Sequence, residues 1–423
     1  MGVIHFVSSA ARYALRGGRI YYLWLAFLVS LAVWGAGAYS TQFSAGLIAT
    51  AMRDQVSWGF YIGNFTFLVG VAAAAVIVVI PAYVYHWKPI KEVVVLGEIL
   101  AISALVMCFL FVLADIGRPD RVWHMIPVVG LLNVPSSLLA WDVIALSSYF
   151  TLNVVIVSYV LYCSYREQPP REALFVPLVL LSIPAAIAIH SVTAFLFNGL
   201  VARPFWNASI LAPRFIASAF CSGPAILLIL FQILQRTTRL EIKNEAIWKV
   251  AELMAYAMAI NLFLLGAEVF KEMYSQTAHR VHFYYLFWGI EEHRALVPYA
   301  WASVVCSIVA FVLLLVPATR RHPVTLNLGC LLVYTGVYIE KGMALIIPGM
   351  TPDTLGEIYE YVPTMVEVRV GAGILAIGFL VYTMLTKIAV GILVGDLRAR
   401  RVAPARGTRM QAVAPGLGEA APG

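Results

Sequence analysis

The sequence predicts an all-α polytopic membrane protein of ten transmembrane helices, eight of them in two four-helix bundles, with the first and last helices flanking. Three observations predict it. Of 423 residues, 61% are hydrophobic and only 12% charged, about half the charge of an ordinary soluble domain. Ten apolar runs each approach or exceed the ~20 residues that cross a bilayer, and no period-2 alternation competes with them. The basic residues alternate between rich and poor segments from one connection to the next, as they do when a chain crosses a membrane repeatedly. A soluble enzyme, a disordered chain and a nucleic-acid binder are excluded despite the net charge of +7; the first partner is the lipid bilayer.

The runs lie at 20–39, 57–84, 90–115, 138–164, 173–197, 211–234, 248–270, 296–318, 323–347 and 365–394, here called spans one to ten. Pro, Gly and charge clusters separate them, among them Gly117-Arg118-Pro119, Gln168-Pro169-Pro170 and Pro348-Gly349, which stop helices by removing backbone donors or relaxing the chain. Span one is too far from the start, and followed by too many others, to be a cleaved signal peptide. Span three ends Cys108-Phe-Leu-Phe-Val-Leu-Ala-Asp115 and span seven ends Asn261-Leu-Phe-Leu-Leu-Gly-Ala-Glu268, each an acid after an apolar run. This repeat divides the chain into an N-terminal segment with span one (1–50), a bundle of spans two to five (51–200), a bundle of spans six to nine (201–350), span ten (351–395) and a tail (396–423). The tail is rich in Arg, Pro, Gly and Ala and has no apolar face to bury, so disorder is expected.

Lys and Arg set the orientation. With the N-terminus cytoplasmic, the inner segments hold 19 of the 29 Lys and Arg, including Arg12, Arg16, Arg236, Arg239, Lys387 and Arg398. Both termini are therefore expected in the cytoplasm of a prokaryotic cell, with the chain in its inner membrane.

Ionisable groups inside a membrane are costly and mark function by default. In this orientation nearly all of them fall in the outer half: Trp58, Tyr61 and Asn64 at the start of span two, Asp115 ending span three, Asp142 opening span four, His190 in span five, Arg214 entering span six, Glu268 leaving span seven and Glu340-Lys341 leaving span nine. Each has a plainer reading. Asp115 with Arg118 is also a helix-ending ion pair, Asp142 is also a cap favoured by the helix dipole, Glu340-Lys341 is also a neutralised packing pair, and Trp58 is also an interfacial belt residue. His190 stands alone on an apolar helix. Glu98 and Glu252, near the inner ends of spans three and seven, either snorkel to the cytoplasm or begin a proton path.

Histidine spacing argues against a resident cofactor. A b-type haem between helices wants two axial ligands at matching depth, and only His190 lies well inside a span, so haem is not expected. The five cysteines are scattered through apolar stretches without a CxxC pair; they read as packing residues, with no iron–sulfur cluster and no metal site. No nucleotide-binding glycine pattern is present. What remains is an outer layer of Asp, His, Asn, Tyr and Trp suited to a lipid-soluble ligand with a polar head.

Five short motifs carry a resemblance: Trp58-Gly-Phe-Tyr-Ile-Gly-Asn64-Phe, Asp115-Ile-Gly-Arg-Pro119, Ser137-Leu-Leu-Ala-Trp141-Asp142-Val, His190-Ser-Val-Thr-Ala-Phe195 and Ala212-Pro-Arg-Phe215. Over residues 50–350 the chain resembles the NrfD/PsrC family of quinone-interacting membrane subunits. Tyr338-Ile-Glu-Lys-Gly342 with Ile347-Pro-Gly349 is most similar to the DsrP (HmeB-like) branch, of the sulfite-reduction-associated DsrMKJOP complex. The resemblance implies a subunit without its own redox centre that works on exchangeable menaquinone or ubiquinone near the outer surface. Its implied partners are an outer-face ferredoxin-like iron–sulfur protein and other membrane and cytochrome subunits. By position it implies Trp58, Tyr61, Asn64, Asp115, Asp142 and His190 as the quinone site, and Arg118 is expected beside them as a further quinone-binding residue. His190, Asp142 and Asp115 would then exchange protons, with Glu98, Glu252, Glu268 and Glu340 on a proton path. Segments 116–137, 271–295 and 349–364, the last with Asp353, Glu357 and Glu360, are the expected docking loops. Two other classes fit the same spans: a secondary transporter, whose Pro184 and Pro224 would break helices at a midplane site, and a structural anchor for partner proteins.

Overall fold

The computed structural model describes residues 2–91, 93–126, 129–277 and 280–399; nearly all of the expected disordered tail falls outside them. Among these residues ten helices are long and apolar enough to cross a membrane, one for each expected run, and no strand occurs. The chain is a multi-pass membrane protein. Span one is α2 (Arg19–Ala45). Span two is α3 (Phe60–Ala72) continued by α4 (Ala74–Val79) and a π-helical turn over Ile80–Val84 that accommodates Pro81. After the single turn α5 (Lys88–Lys91), spans three to seven are α6 (Val94–Asp115), α7 (Leu138–Tyr165), α8 (Glu172–Asn198), α9 (Leu211–Thr237) and α10 (Asn244–Ser275). The short α11 (Arg280–Phe287) precedes span eight, α12 (Val297–Leu315), and α13 (Pro317–Arg321) precedes span nine. Span nine breaks at Gly342 into α14 (Pro323–Lys341) and α15 (Met343–Met350), and span ten is α16 (Met365–Leu393).

Packing follows the expected halves. Helices α3, α6, α7 and α8 contact one another in sequence order, and so do α9, α10, α12 and α14, which is consistent with two four-helix groups. The groups meet along α3 and α9. Span ten is more than a flanking helix, because α16 lies between α2 and α6 and covers the outer side of span three. Spans two and three are consequently the most enclosed: 78% and 83% of their apolar windows are buried, against 11% for span one.

Small residues set the closest crossings. A Cβ on Gly35 of α2 would lie 2.6 Å from the Cα of Gly373 of α16, and one on Gly223 of α9 would lie 2.9 Å from the Cα of Ala74. Lipid offers no hydrophobic drive to pair helices, so close backbone approach and dispersion supply it. The sequence reading missed α1 (Gly2–Ala14), which is too short to span. It buries Ala10 and Ala14, rests Phe6 on the rings of Tyr162 and Tyr165, and brings His5 Nδ1 within 3.0 Å of the Tyr165 hydroxyl.

Candidate functional site

At the end expected to face outward, spans two, three and four splay around a cavity of about 550 Å³. The reason is local. The chain leaves α6 at Ile116 in extended conformation, turns through a 3-10 helix over Pro119–Met125, and returns only at Ser137, whose hydroxyl accepts from Ala140 N at 3.3 Å to cap α7. That segment folds back over the opening, so Val122, Met125 and Ile126 form its cover. The walls are Ile62, Phe65, Leu110, Leu113 and Leu146, with Trp58 at the rim and two carboxylates, Asp115 and Asp142.

The two acids differ. Asp142 is 3% exposed and its Oδ1 accepts a 2.7 Å hydrogen bond from the Thr193 hydroxyl of α8. Asp115 keeps a buried Oδ1 without a hydrogen-bond partner. A buried acceptor left without a partner is costly, so the wall presents one acceptor already held and one that a ligand can satisfy. Trp58 is fixed in place: its ring stacks on Trp206 at 5.7 Å and meets the edge of Phe197 at 5.5 Å. Trp206 donates to Leu345 O at 2.8 Å and occupies the space where a side chain on Gly349 would be.

A second polar cluster lies among spans six, seven and nine. Arg214 of α9 is buried and ion-pairs with Glu268 of α10 and, at 2.8 Å, with Glu340 of α14. Glu340 also accepts from Asn261 at 2.9 Å. Lys341, next to it in sequence, turns the other way and lies over the Phe215 ring, 3.9 Å from its centre. The cluster ties spans six, seven and nine together at the same end of the molecule as the cavity.

The family "Polysulphide reductase, NrfD" matches residues 49–352, which include spans two to nine, the cavity and the Arg214 cluster. The chain belongs to the NrfD polysulphide reductase family. It is 28% identical over 396 residues to a proposed dimethyl sulfoxide reductase membrane subunit of Halobacterium salinarum, covering 85% of this chain and 88% of that one. It is 23% identical to an Hdr-like menaquinol oxidoreductase integral membrane subunit of Archaeoglobus fulgidus (87% and 93% covered). It is 22% identical to a menaquinone reductase integral membrane subunit of Nitratidesulfovibrio vulgaris (86% and 90% covered). These similarities do not single out the sulfite-associated branch suggested by Tyr338–Gly342.

On this NrfD-family framework the expected site residues separate. Trp58, Asp115 and Asp142 line the cavity. Tyr61 and Asn64 do not: the Tyr61 hydroxyl donates to Gln42 at 2.6 Å, while Asn64 donates to Phe60 O and accepts from the Tyr338 hydroxyl at 3.1 Å, facing span nine. His190 lines a separate, much smaller cavity of about 10 Å³ against Ala73, Val76 and Ala219. Its Nδ1 is 2.6 Å from Ala186 O, and the buried ring also meets the backbone of Val69 in span two. Arg118 does not pair with Asp115. It is exposed and holds both oxygens of Asp120, at 3.0 and 2.8 Å, because Pro119 turns the chain so that the two side chains meet. That hydrogen bonding holds the Asp120 carboxyl below the usual carboxylate range.

Glu98 is buried in span three with Oε1 unpartnered. Glu252 lies at the inner end with Lys249, Arg320 and the Tyr256 hydroxyl. Of the acidic docking residues, Asp353 accepts from Leu355 N and Glu357 N within its own loop, and Glu360 meets Ala295 N and His293.

Sequence reasoning assigned no role to Thr193 or Gln42. Thr193 sits inside a quoted motif, but only the α7–α8 pairing aims its hydroxyl at Asp142. Glu367 was missed too: it caps α16 with Thr364 and accepts from Ala51 N at 2.8 Å and from Tyr361. A Thr-x-x-Glu box opening an apolar run was a visible signal for it.

Proposed function

We propose that this chain is the quinone-interacting membrane subunit of a respiratory redox complex. It exchanges electrons between membrane quinol or quinone, menaquinone or ubiquinone, and a partner iron–sulfur protein on the outer face. The observation that carries this reading is the cavity of about 550 Å³ with apolar walls and the carboxylates of Asp115 and Asp142. Its size is that of a small-molecule site. The apolar walls suit a prenylated ring, and the unpartnered Asp115 oxygen suits a head-group hydroxyl. The menaquinol and menaquinone relatives point the same way.

A bound quinol supplies two electrons and two protons. In this reading Asp142, held by Thr193, accepts one proton at Oδ2, and Asp115 accepts the other at Oδ1. Both groups lie within a few residues of the outer ends of their helices, so the protons leave on that side. Trp58 packs against the ring, and Val122, Met125 and Ile126 exclude water while the acids work. No haem or cluster is expected in the chain, so the electrons pass to the partner, docked on 116–137, 271–295 and 349–364. Quinone reduction uses the same groups in reverse. The sulfur link is supported by the resemblance of Tyr338–Gly342 and by the names of the family and of the Halobacterium salinarum relative. A secondary transporter would hold its site at the midplane between broken helices, whereas this cavity lies at one end.

The test is Asp142→Asn and Asp115→Asn in the assembled complex. General acid–base groups contribute about 100-fold or more to rate. Each variant is expected to assemble normally and to lose quinol-linked electron transfer by about that factor. Normal turnover in both would remove the cavity from the reaction.

A further inference from the structure

A crevice of about 950 Å³, larger than the cavity above, opens at the opposite end of the molecule, between spans one, six and ten. From this crevice we infer a binding site for one anionic glycerophospholipid of the inner leaflet. Three kinds of side chain carry the inference.

At the mouth lie Arg236, Arg239 and Lys387, with Asp396 the one acid among the described lining residues. Asp396 pairs with Arg239 at 2.9 Å, so positive charge is left over. Deeper in, Tyr382 and Thr386 sit one helical turn apart on α16, 7% and 5% exposed; their hydroxyls face each other and meet no hydrogen-bond partner on another helix. Around them the lining is apolar: Ile20 and Trp24 of span one, Leu230 and Ile233 of span six, and Phe379 of span ten, about one turn deeper than Tyr382.

A phospholipid carries the groups that match these three kinds of side chain. Its phosphate meets the basic mouth, its ester carbonyls accept from the two buried hydroxyls, and its acyl chains run along the apolar groove. The depth agrees, because Tyr382 and Thr386 lie eleven and seven residues from the end of α16 at Leu393, roughly 10–16 Å at 1.5 Å per residue. A quinone would satisfy a buried hydroxyl but leaves the basic mouth without a partner. Free phosphate fills the mouth and leaves the groove empty. Juxtamembrane basic residues near a surface attract anionic lipid by about five-fold in affinity each.

The experiment uses the full chain in neutral detergent, with brominated lipid quenching tryptophan fluorescence. Brominated phosphatidylglycerol should quench a saturable component at several-fold lower concentration than brominated phosphatidylcholine. Trp24→Phe should remove that component. Arg236→Gln, at an exposed position, should weaken it about five-fold, and Tyr382→Phe should weaken it for both lipids. Excess menaquinone and inorganic phosphate should leave it unchanged. Equal quenching by the two lipids, displacement by menaquinone or phosphate, or a component that survives Trp24→Phe would each overturn the proposal. Asp142→Asn should not alter this binding, so the two sites succeed or fail separately.

Discussion

Thr193 is the residue on which the position of Asp142 depends. Side-chain hydrogen bonds between membrane helices contribute about 0.6 kcal/mol on average, so Thr193→Val is expected to leave the complex as abundant as before. Its effect belongs to geometry: with the carboxylate free to turn, quinol turnover should drop about ten-fold, one 1.4 kcal/mol step, and Thr193→Ser should restore it. Steady-state turnover per assembled complex measures both. His190 shows what residue-level reading cannot reach. A lone histidine on an apolar helix marks function by type, but its direction depends on helix rotation, which uniform apolarity does not encode. Here Asp142 and Thr193 share one seam between α7 and α8, while His190 points toward spans two and six. Asp142→Asn is therefore expected to reduce turnover more than His190→Ala.

Elements were legible because the membrane imposes one length and one composition on every span. The breaks were legible at Pro, Gly and charge. The short helices α1, α5, α11, α13 and α15 and the 3-10 turn over Pro119–Met125 were not, since short helices are held by contacts with the rest of the fold rather than by their own pattern. Two predictions belong to this scale. Arg214 joins three spans, and removing one partner of a buried ion pair costs about 3–5 kcal/mol. Arg214→Met alone should therefore sharply lower the abundance of the folded chain, and adding Glu268→Gln and Glu340→Gln should recover most of it. Quantitative immunoblotting of membranes reads this directly. At the other side, Gly35→Leu forces α2 away from Gly373 of α16. Overpacking of this kind costs about 1–3 kcal/mol and should lower the thermal unfolding temperature without changing turnover per molecule.

At the scale of the molecule, the charge bias orients everything else. Reporter fusions after residues 130 and 285 are expected to read outside, and fusions after 168 and 242 inside. Cross-linking should then find the iron–sulfur partner on the segments that cover the cavity, and a partner found only on the opposite loops would reverse the picture. A faint repeat ending in Asp115 and Glu268 suggested two bundles, with which the helix packing is consistent, and the structure gives those acids different environments: one lines a cavity and the other is locked to Arg214. That asymmetry makes the first bundle the place to look for the quinone. The most direct measurement is photolabelling of the membrane-embedded complex with an azido-menaquinone, followed by peptide mapping. The account predicts adducts on the end of α6 around Leu113 and Ile116, on the cover at Val122–Ile126 and on the start of α7 around Val143. Adducts confined to the Arg214 cluster, or to the crevice beneath Tyr382, would contradict it.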